Sequence, residues 1–272
     1  TLLIRSLSEA VHLDFSRIQF TPDLMPADIL GTNVLTEDGE GHRRFVYQNG
    51  PIFGNLILAD EINRATPKTQ SALLEAMQER SVTVSGAAHA LPDPFFVLAT
   101  QNPIDMEGTY PLPEAQLDRF FFKIRVQPGS REEIVEILKQ TTRTETRSVE
   151  RVLTGKELRH FQKLVLEVPV AEHVFSYVAA LVQATHPEHE EAAEVSKKYL
   201  RFGASPRGAQ ALILGSKALA LWKGRFNASI EDVRSIALPA LRHRILLSYE
   251  AEAQGIEPDR VVRQLLDEVA QP

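Results

Sequence analysis

In the first half of the chain, short apolar runs alternate with longer stretches whose apolar positions recur every three or four residues. That alternation predicts strands joined by crossover helices, the pattern of a parallel α/β sheet. The clearest strands are Asn55–Ala59 and Phe95–Ala99, apolar at consecutive positions and suited to a sheet covered on both faces. A third run, Phe120–Val126, has the same character. Between the first two lies a predicted crossover helix, Pro67–Arg80, with Thr66 placed to cap it, Pro67 at its first position, and Leu73, Leu74 and Met77 along one face. Two predicted hairpins interrupt the alternation: Phe45–Phe53, turning at Asn49-Gly50, and Ser81–Leu91, turning near Gly86. At the front, Leu2, Leu3, Leu7 and Val11 stand in helical spacing with no cap before them, and Thr rather than Met at position 1 is read as a chain that continues upstream.

From Ser130 the period becomes helical. Capping boxes at Ser130-x-x-Glu133 and Thr154-x-x-Glu157 open two helices, and the Thr- and Arg-rich stretch Thr141–Arg151 between them reads as a linker. Helices alone are expected afterwards, at about Gly155–Glu167, Ala171–Thr185, Pro206–Trp222, Ile230–His243 and Pro258–Val269. The expected organisation is therefore an α/β domain over residues 1–128, a linker helix and linker over 129–152, and an all-α domain over 153–272.

Composition removes several function classes. With 43% hydrophobic and 24% charged residues the chain has the make-up of a globular protein, and no apolar run approaches the roughly 18 to 20 residues a membrane span requires. The absence of cysteine excludes a disulfide framework and a thiolate zinc site, and a reducing compartment, the cytoplasm, is expected. Residues 1–127 carry 10 Lys and Arg against 16 Asp and Glu, and residues 128–272 carry 20 against 20. Neither half has the basic surplus of a nucleic-acid binder, so no nucleic-acid partner is expected.

The first candidate chemistry is the strand Leu56-Ile57-Leu58-Ala59, which ends abruptly in Asp60-Glu61. Ligands of open parallel sheets bind outside the carboxyl ends of the strands, where these acids would lie. A nucleoside triphosphate site needs an oxygen ligand for Mg²⁺ there and a carboxylate to activate water. Asp60 suits the first role and Glu61 the second. The next strand ends in Gln101-Asn102-Pro103, which brings the Asn102 amide to the same edge, where it could contact a γ-phosphate or position the attacking water.

These segments resemble a known family. Ala59–Ala65, the helix Thr69–Glu79, Ala99–Pro103 and Glu114–Phe120 are similar, in order, to MoxR-type AAA+ ATPases, as are Phe20–Pro26 upstream and Gly203–Arg207 in the helical half. The resemblance implies a P-loop NTPase core with a helical lid, binding ATP and Mg²⁺. Asp60 and Glu61 would be the Walker B pair, Asn102 the sensor 1 residue, Arg119 an arginine finger serving a neighbouring subunit, and Arg207 the sensor 2 arginine. It further implies a self-assembled ring, a hexamer by family habit, and client proteins matured in a chaperone-like way, with a von Willebrand factor A domain protein as a possible partner. The residue types agree with this. Ser205 and Pro206 put Arg207 in the first turn of a helix, where the dipole disfavours a cation unless an anion approaches. The family's Gly-rich loop and its lysine are not found in residues 1–272; only Thr1 would remain of that motif, as a hydroxyl ligand for Mg²⁺. Residues 1–272 by themselves are accordingly expected to bind ATP weakly and to be inactive. Two alternatives stand beside this reading, a hydrolysis-deficient interaction module and a nucleic-acid motor of the related helicase clade.

Other candidates read as structural. His186-Pro187-Glu188-His189 has no third metal ligand at helical spacing, Arg43-Arg44 and Lys197-Lys198 suit solvated faces, and Trp222 at the end of an apolar helix is expected in the core.

Overall fold

A computed structural model describes residues 1–37, 39, 42–102, 108–142 and 149–271. The chain forms two compact units, Thr1–Arg119 with Glu150–Gln162, and Phe120–Val149 with Lys163–Pro272. The units are interleaved in sequence: the first gives way to the second at Arg119/Phe120, and Glu150–Gln162 returns to the first.

In chain order the first unit contains α1 (Leu2–Ala10), β1 (Phe15–Gln19), α2 (Pro26–Leu30), β2 (Gly31–Glu37), β3 (Arg43–Asn49), β4 (Leu56–Asp60), α3 (Pro67–Glu79), β5 (Ser81–Val84), β6 (Ala87–Ala90), β7 (Phe96–Ala99) and α4 (Glu114–Leu117). Strands β1, β4 and β7 form a parallel sheet in that spatial order, with Gln19 beside Asp60 and Ala59 beside Ala99. The central strand is apolar at consecutive positions because both its faces are covered, and Leu56, Ile57, Leu58 and Ala59 are all buried. Leu56, Ile57 and Leu58 each contribute about 1.5 to 3 kcal/mol on burial, which fixes the strand and thereby the acids at its end.

The α3 crossover and the β5–β6 hairpin form as expected, the latter turning at Ser85-Gly86, both at positive φ. The other hairpin is shifted. β2 pairs antiparallel with β3 from Gly31↔Asn49 to Glu37↔Arg43, so the connection is residues 38–42 and Asn49-Gly50 closes the far end. Gly50 is required there for close approach, since a Cβ would stand 2.3 Å from the Ile29 carbonyl. In α1 the buried positions are Ile4 and Ser8, continued by Val11, while Leu2, Leu3 and Leu7 are exposed. Of the four apolar positions that predict the helix, Val11 alone is buried.

The second unit contains α5 (Arg131–Thr141), the end of α6 (Gly155–Glu167), α7 (Glu172–Ala184), α8 (Glu194–Tyr199), β8 (Leu200–Phe202), α9 (Pro206–Trp222), α10 (Ile230–Leu241), β9 (Leu246–Leu247), α11 (Tyr249–Ala253) and α12 (Pro258–Glu268). The capping boxes of α5 and α6 form, Ser130 with Glu133 and Thr154 with Glu157. The expected linker Thr141–Arg151 falls partly on residues 143–148, outside the described residues. Helices are not the sole elements here, because β8 and β9 pair antiparallel. The core joins α7, α8, α9, α10 and α12 through residues such as Tyr177, Leu181, Leu212, Leu241 and Val262.

Two expectations are corrected in this unit. Trp222 is 88% exposed rather than in the core. The buried positions of α9 are Gly208, Ala211, Leu212, Gly215, Ser216 and Ala220. At about 100° per residue Trp222 shares the direction of Ala211 and Gly215, so its exposure follows from standing at the last residue of the helix, beyond the last buried position. Phe120–Val126 is not a strand. Its backbone groups are taken by α10 and the residues after it: the Lys123 N–H donates to the Pro239 carbonyl, and the Phe120 and Phe121 carbonyls accept from Arg244. A backbone satisfied that way has no need of a neighbouring strand.

Candidate functional site

The carboxyl ends of β1, β4 and β7 bring Gln19, Asp60 and Thr100 to one edge of the sheet. Asp60 is held from both sides. The Thr100 hydroxyl donates to Asp60 Oδ1 at 2.5 Å, and Arg17 donates to Oδ2 through Nε at 3.0 Å and Nη2 at 2.6 Å. Partial burial of Asp60 opposes its ionised form, but the Thr100 and Arg17 hydrogen bonds and the Arg17 charge outweigh it, so the carboxyl titrates below the ordinary aspartate range.

Glu61 follows at φ 56° and ψ 48°, in the left-handed region that non-glycine residues rarely adopt. The backbone is held there by the Glu61 N–H donating to Thr100 Oγ1 at 2.9 Å and the Ile62 N–H donating to the Thr100 carbonyl at 3.0 Å. Gln19 Nε2 and Arg64 Nη1 donate to Glu61 Oε2 at 3.0 and 3.1 Å. Both land on one oxygen, leaving Oε1 outside these bonds. Strain of this kind persists where the surroundings over-determine it, and functional sites are where it collects.

Behind this turn lie two buried amides. Gln70, fully buried on α3, directs Nε2 at the carbonyls of Ile62, Ala65 and Tyr110, at 3.1, 3.1 and 2.9 Å. Asn63 Nδ2 donates to the Asn102 carbonyl at 3.3 Å, and the Asn63 carbonyl accepts from the Tyr110 N–H at 2.7 Å. The turn after Asp60-Glu61 is thereby tied to the backbone of Asn102 and to Tyr110. Pro103 lies outside the described residues.

Asp60, Glu61 and Asn102 are thus gathered at one sheet edge, and Thr1 stands at the N-cap position of α1. Arg119, just past α4, is not gathered with them. Its Nη1 donates to the Leu74 carbonyl on α3 at 3.1 Å, beside a cavity of about 240 Å³ lined also by Ser71, Glu75 and Gln116. Arg207 belongs to the second unit, in the first turn of α9, where its N–H donates to the Ser205 hydroxyl at 3.1 Å. His186 and His189 serve their loop: His186 Nε2 meets the Ala204 carbonyl at 3.0 Å, and His189 Nδ1 accepts from the Glu191 N–H at 3.2 Å.

The residues at the edge fit a magnesium nucleotide. Mg²⁺ is held in such sites by one or two protein oxygens together with phosphates and waters, and Asp60 is kept in the ionised form this needs. Among the described residues no three His, Asp or Glu side chains gather as a self-sufficient metal cage.

Sequence reasoning found the two acids and missed what holds them. Arg17 and Gln19 alternate on one face of β1, and the signal for them was the period-2 pattern of Phe15–Phe20 directly before the Thr-Pro-Asp turn. Gln70 showed itself only as a polar residue three and four positions before Leu73 and Leu74, on the apolar face of an amphipathic helix.

A parallel sheet with an acid pair at its carboxyl edge, joined to a helical unit, defines an ATPase of the AAA class. Residues 1–122 match the family described as "ATPase family associated with various cellular activities (AAA)", and residues 192–265 match the AAA lid domain. The chain belongs to the MoxR-type AAA+ ATPases. It is 43% identical over its whole length to the chaperone MoxR1 of Mycobacterium tuberculosis, covering 71% of that protein. It is 42% identical to the protein YeaC of Bacillus subtilis, again along all of this chain and 82% of the relative. A solved structure from Cytophaga hutchinsonii, of a protein described as an ATPase, superposes with a TM-score of 0.92 at 39% identity, covering all of this chain and 82% of that one.

Proposed function

We propose that the protein is a Mg²⁺-dependent ATPase working as a ring, a hexamer, that remodels or matures client proteins in the cytoplasm. The observation that carries this reading is Glu61: a carboxylate beside Asp60, held on Oε2 by Gln19 and Arg64 and leaving Oε1 to take a proton from water. Asp60 and Thr1 hold the metal, whose chemistry is to neutralise charge on the phosphates. Asn102 contacts the γ-phosphate, and its backbone is steadied by Asn63. Arg207 is the lid's contribution to the same phosphate. Arg119 acts on a neighbour's nucleotide, a role supported by its side chain engaging α3 rather than the acids of its own chain. Functional domains over 1–128 and 153–272, with a linker between, accompany this reading. The chaperone role is supported by the naming of MoxR1, and a von Willebrand factor A domain partner rests on family resemblance alone.

The test is Glu61→Gln in a form of the protein that includes the phosphate-binding loop. An amide still hydrogen-bonds the water but cannot accept its proton, so turnover should fall about 10² to 10⁴-fold while nucleotide affinity stays within a few-fold. Turnover at the wild-type rate would remove Glu61 from its role.

A further inference from the structure

The residues directly after Arg119 are anchored with unusual thoroughness. Arg244, only 9% exposed, donates through Nη2 to the Phe120 carbonyl at 2.7 Å and through Nη1 to the Phe121 carbonyl at 3.1 Å. His243 Nε2 lies 3.0 Å from the same Phe120 oxygen, and since a carbonyl only accepts, that nitrogen carries the proton. Arg242, paired with the buried Asp259 at 3.1 Å, donates to the Lys123 carbonyl at 3.2 Å. The Lys123 N–H in turn donates to the Pro239 carbonyl at 2.9 Å, in the last turn of α10, where helix carbonyls lack intrahelical partners. Phe122 completes the attachment by packing on the core at Gly215, where a Cβ would stand 3.1 Å from its ring.

We propose that Arg244, with His243, is a positioning residue for Arg119: the three consecutive side chains after α10 clamp Phe120–Lys123 and thereby fix the backbone from which Arg119 projects. The clamp deepens the reading of Arg119 as a trans-acting finger and rests on it. A buried guanidinium is costly unless its donors are all used, and backbone carbonyls satisfy it without depending on any side chain of the segment it holds. Lysine cannot replace it fully, because one ammonium does not present the planar fork that spans two successive carbonyls. A finger contributes only when its charge arrives at the right place, and an error near 1 Å can cost about 10²-fold.

Subunit mixing tests this by placement. Arg119→Ala subunits mixed with Glu61→Gln subunits rebuild a complete site wherever an intact finger meets an intact glutamate, and partial turnover should return. Arg244→Gln is then added to one partner at a time, after co-assembly has been verified. In the Glu61→Gln subunit, which donates the finger, it should reduce the recovered turnover about 10- to 100-fold. In the Arg119→Ala subunit, which has no finger to position, it should leave recovery within about twofold, and this arm also shows that the variant folds. Arg244→Lys should give a smaller loss with the same dependence on placement, and carries the test if the glutamine variant does not fold. Equal loss in both placements, or loss in neither, overturns the clamp while leaving the finger intact. No recovery in the parent mixture, before Arg244 is touched, overturns the trans finger and the clamp with it.

Discussion

Glu61 illustrates how much of a site is decided by one backbone conformation. A left-handed φ costs an ordinary residue about 1 to 2 kcal/mol, and here Thr100 holds the strained peptide through two hydrogen bonds. Function needs the carboxylate at this turn, whereas stability would be served by glycine. Glu61→Gly should therefore be more stable than Glu61→Ala by about 1 kcal/mol, although both lack the general base. Denaturant midpoints of the two variants check this, and a glycine variant less stable than the alanine one would mean that the turn carries no strain. At this scale the acids were legible because an apolar strand ending in Asp-Glu breaks the expected pattern. Arg17, Gln19 and Thr100 were not. Their importance arises from registry between strands distant in sequence, Gln19 beside Asp60 and Thr100 one past Ala99, and no local pattern encodes which strands are neighbours.

Among the elements, those with both periodicity and end signals were readable. Pro206–Trp222 has Ser205 as cap and Pro206 at its first position, and α5 and α6 open on capping boxes, so their limits follow from local chemistry. Phe120–Val126 has the composition of a strand, yet its fate is settled by Arg244 and Pro239, more than a hundred residues away. The start of α10 adds an electrostatic consequence. Asp232 is fully buried, accepts from Ser229 and pairs with Arg225, and although burial opposes its charge these partners hold its pKa below the ordinary value. A depressed folded-state pKa contributes stability that is complete above the unfolded value, near 3.9, and is lost as pH falls through the folded one. Asp232→Asn should thus lower protection of the α10 amides at pH 7, and the gap from wild type should shrink as the pH falls below about 4. Hydrogen exchange across that range measures it, and a gap that widens in acid would reverse the assigned direction.

On the scale of the molecule, the partition into two compact units and the position of Arg119 at their junction in sequence determine what one chain can do alone. Asp60, Glu61 and Asn102 share one sheet edge, and Arg119 is spent on the Leu74 carbonyl, so a single subunit would bind nucleotide without supplying its own finger. Catalysis should then depend on subunit concentration more steeply than binding does. In protein that includes the phosphate-binding loop, turnover per subunit should rise as concentration passes the range of assembly and then level off, since an arginine finger contributes about 10³ to 10⁵ in rate. Nucleotide affinity should change far less, because most phosphate contacts come from within one chain. Arg119→Ala should flatten the turnover curve at its low end while the protein still assembles, which separates a catalytic contribution from a purely adhesive one. Turnover per subunit that stays constant down to concentrations where sedimentation shows only monomers would mean that each chain carries a complete site, and the ring would lose its mechanistic basis.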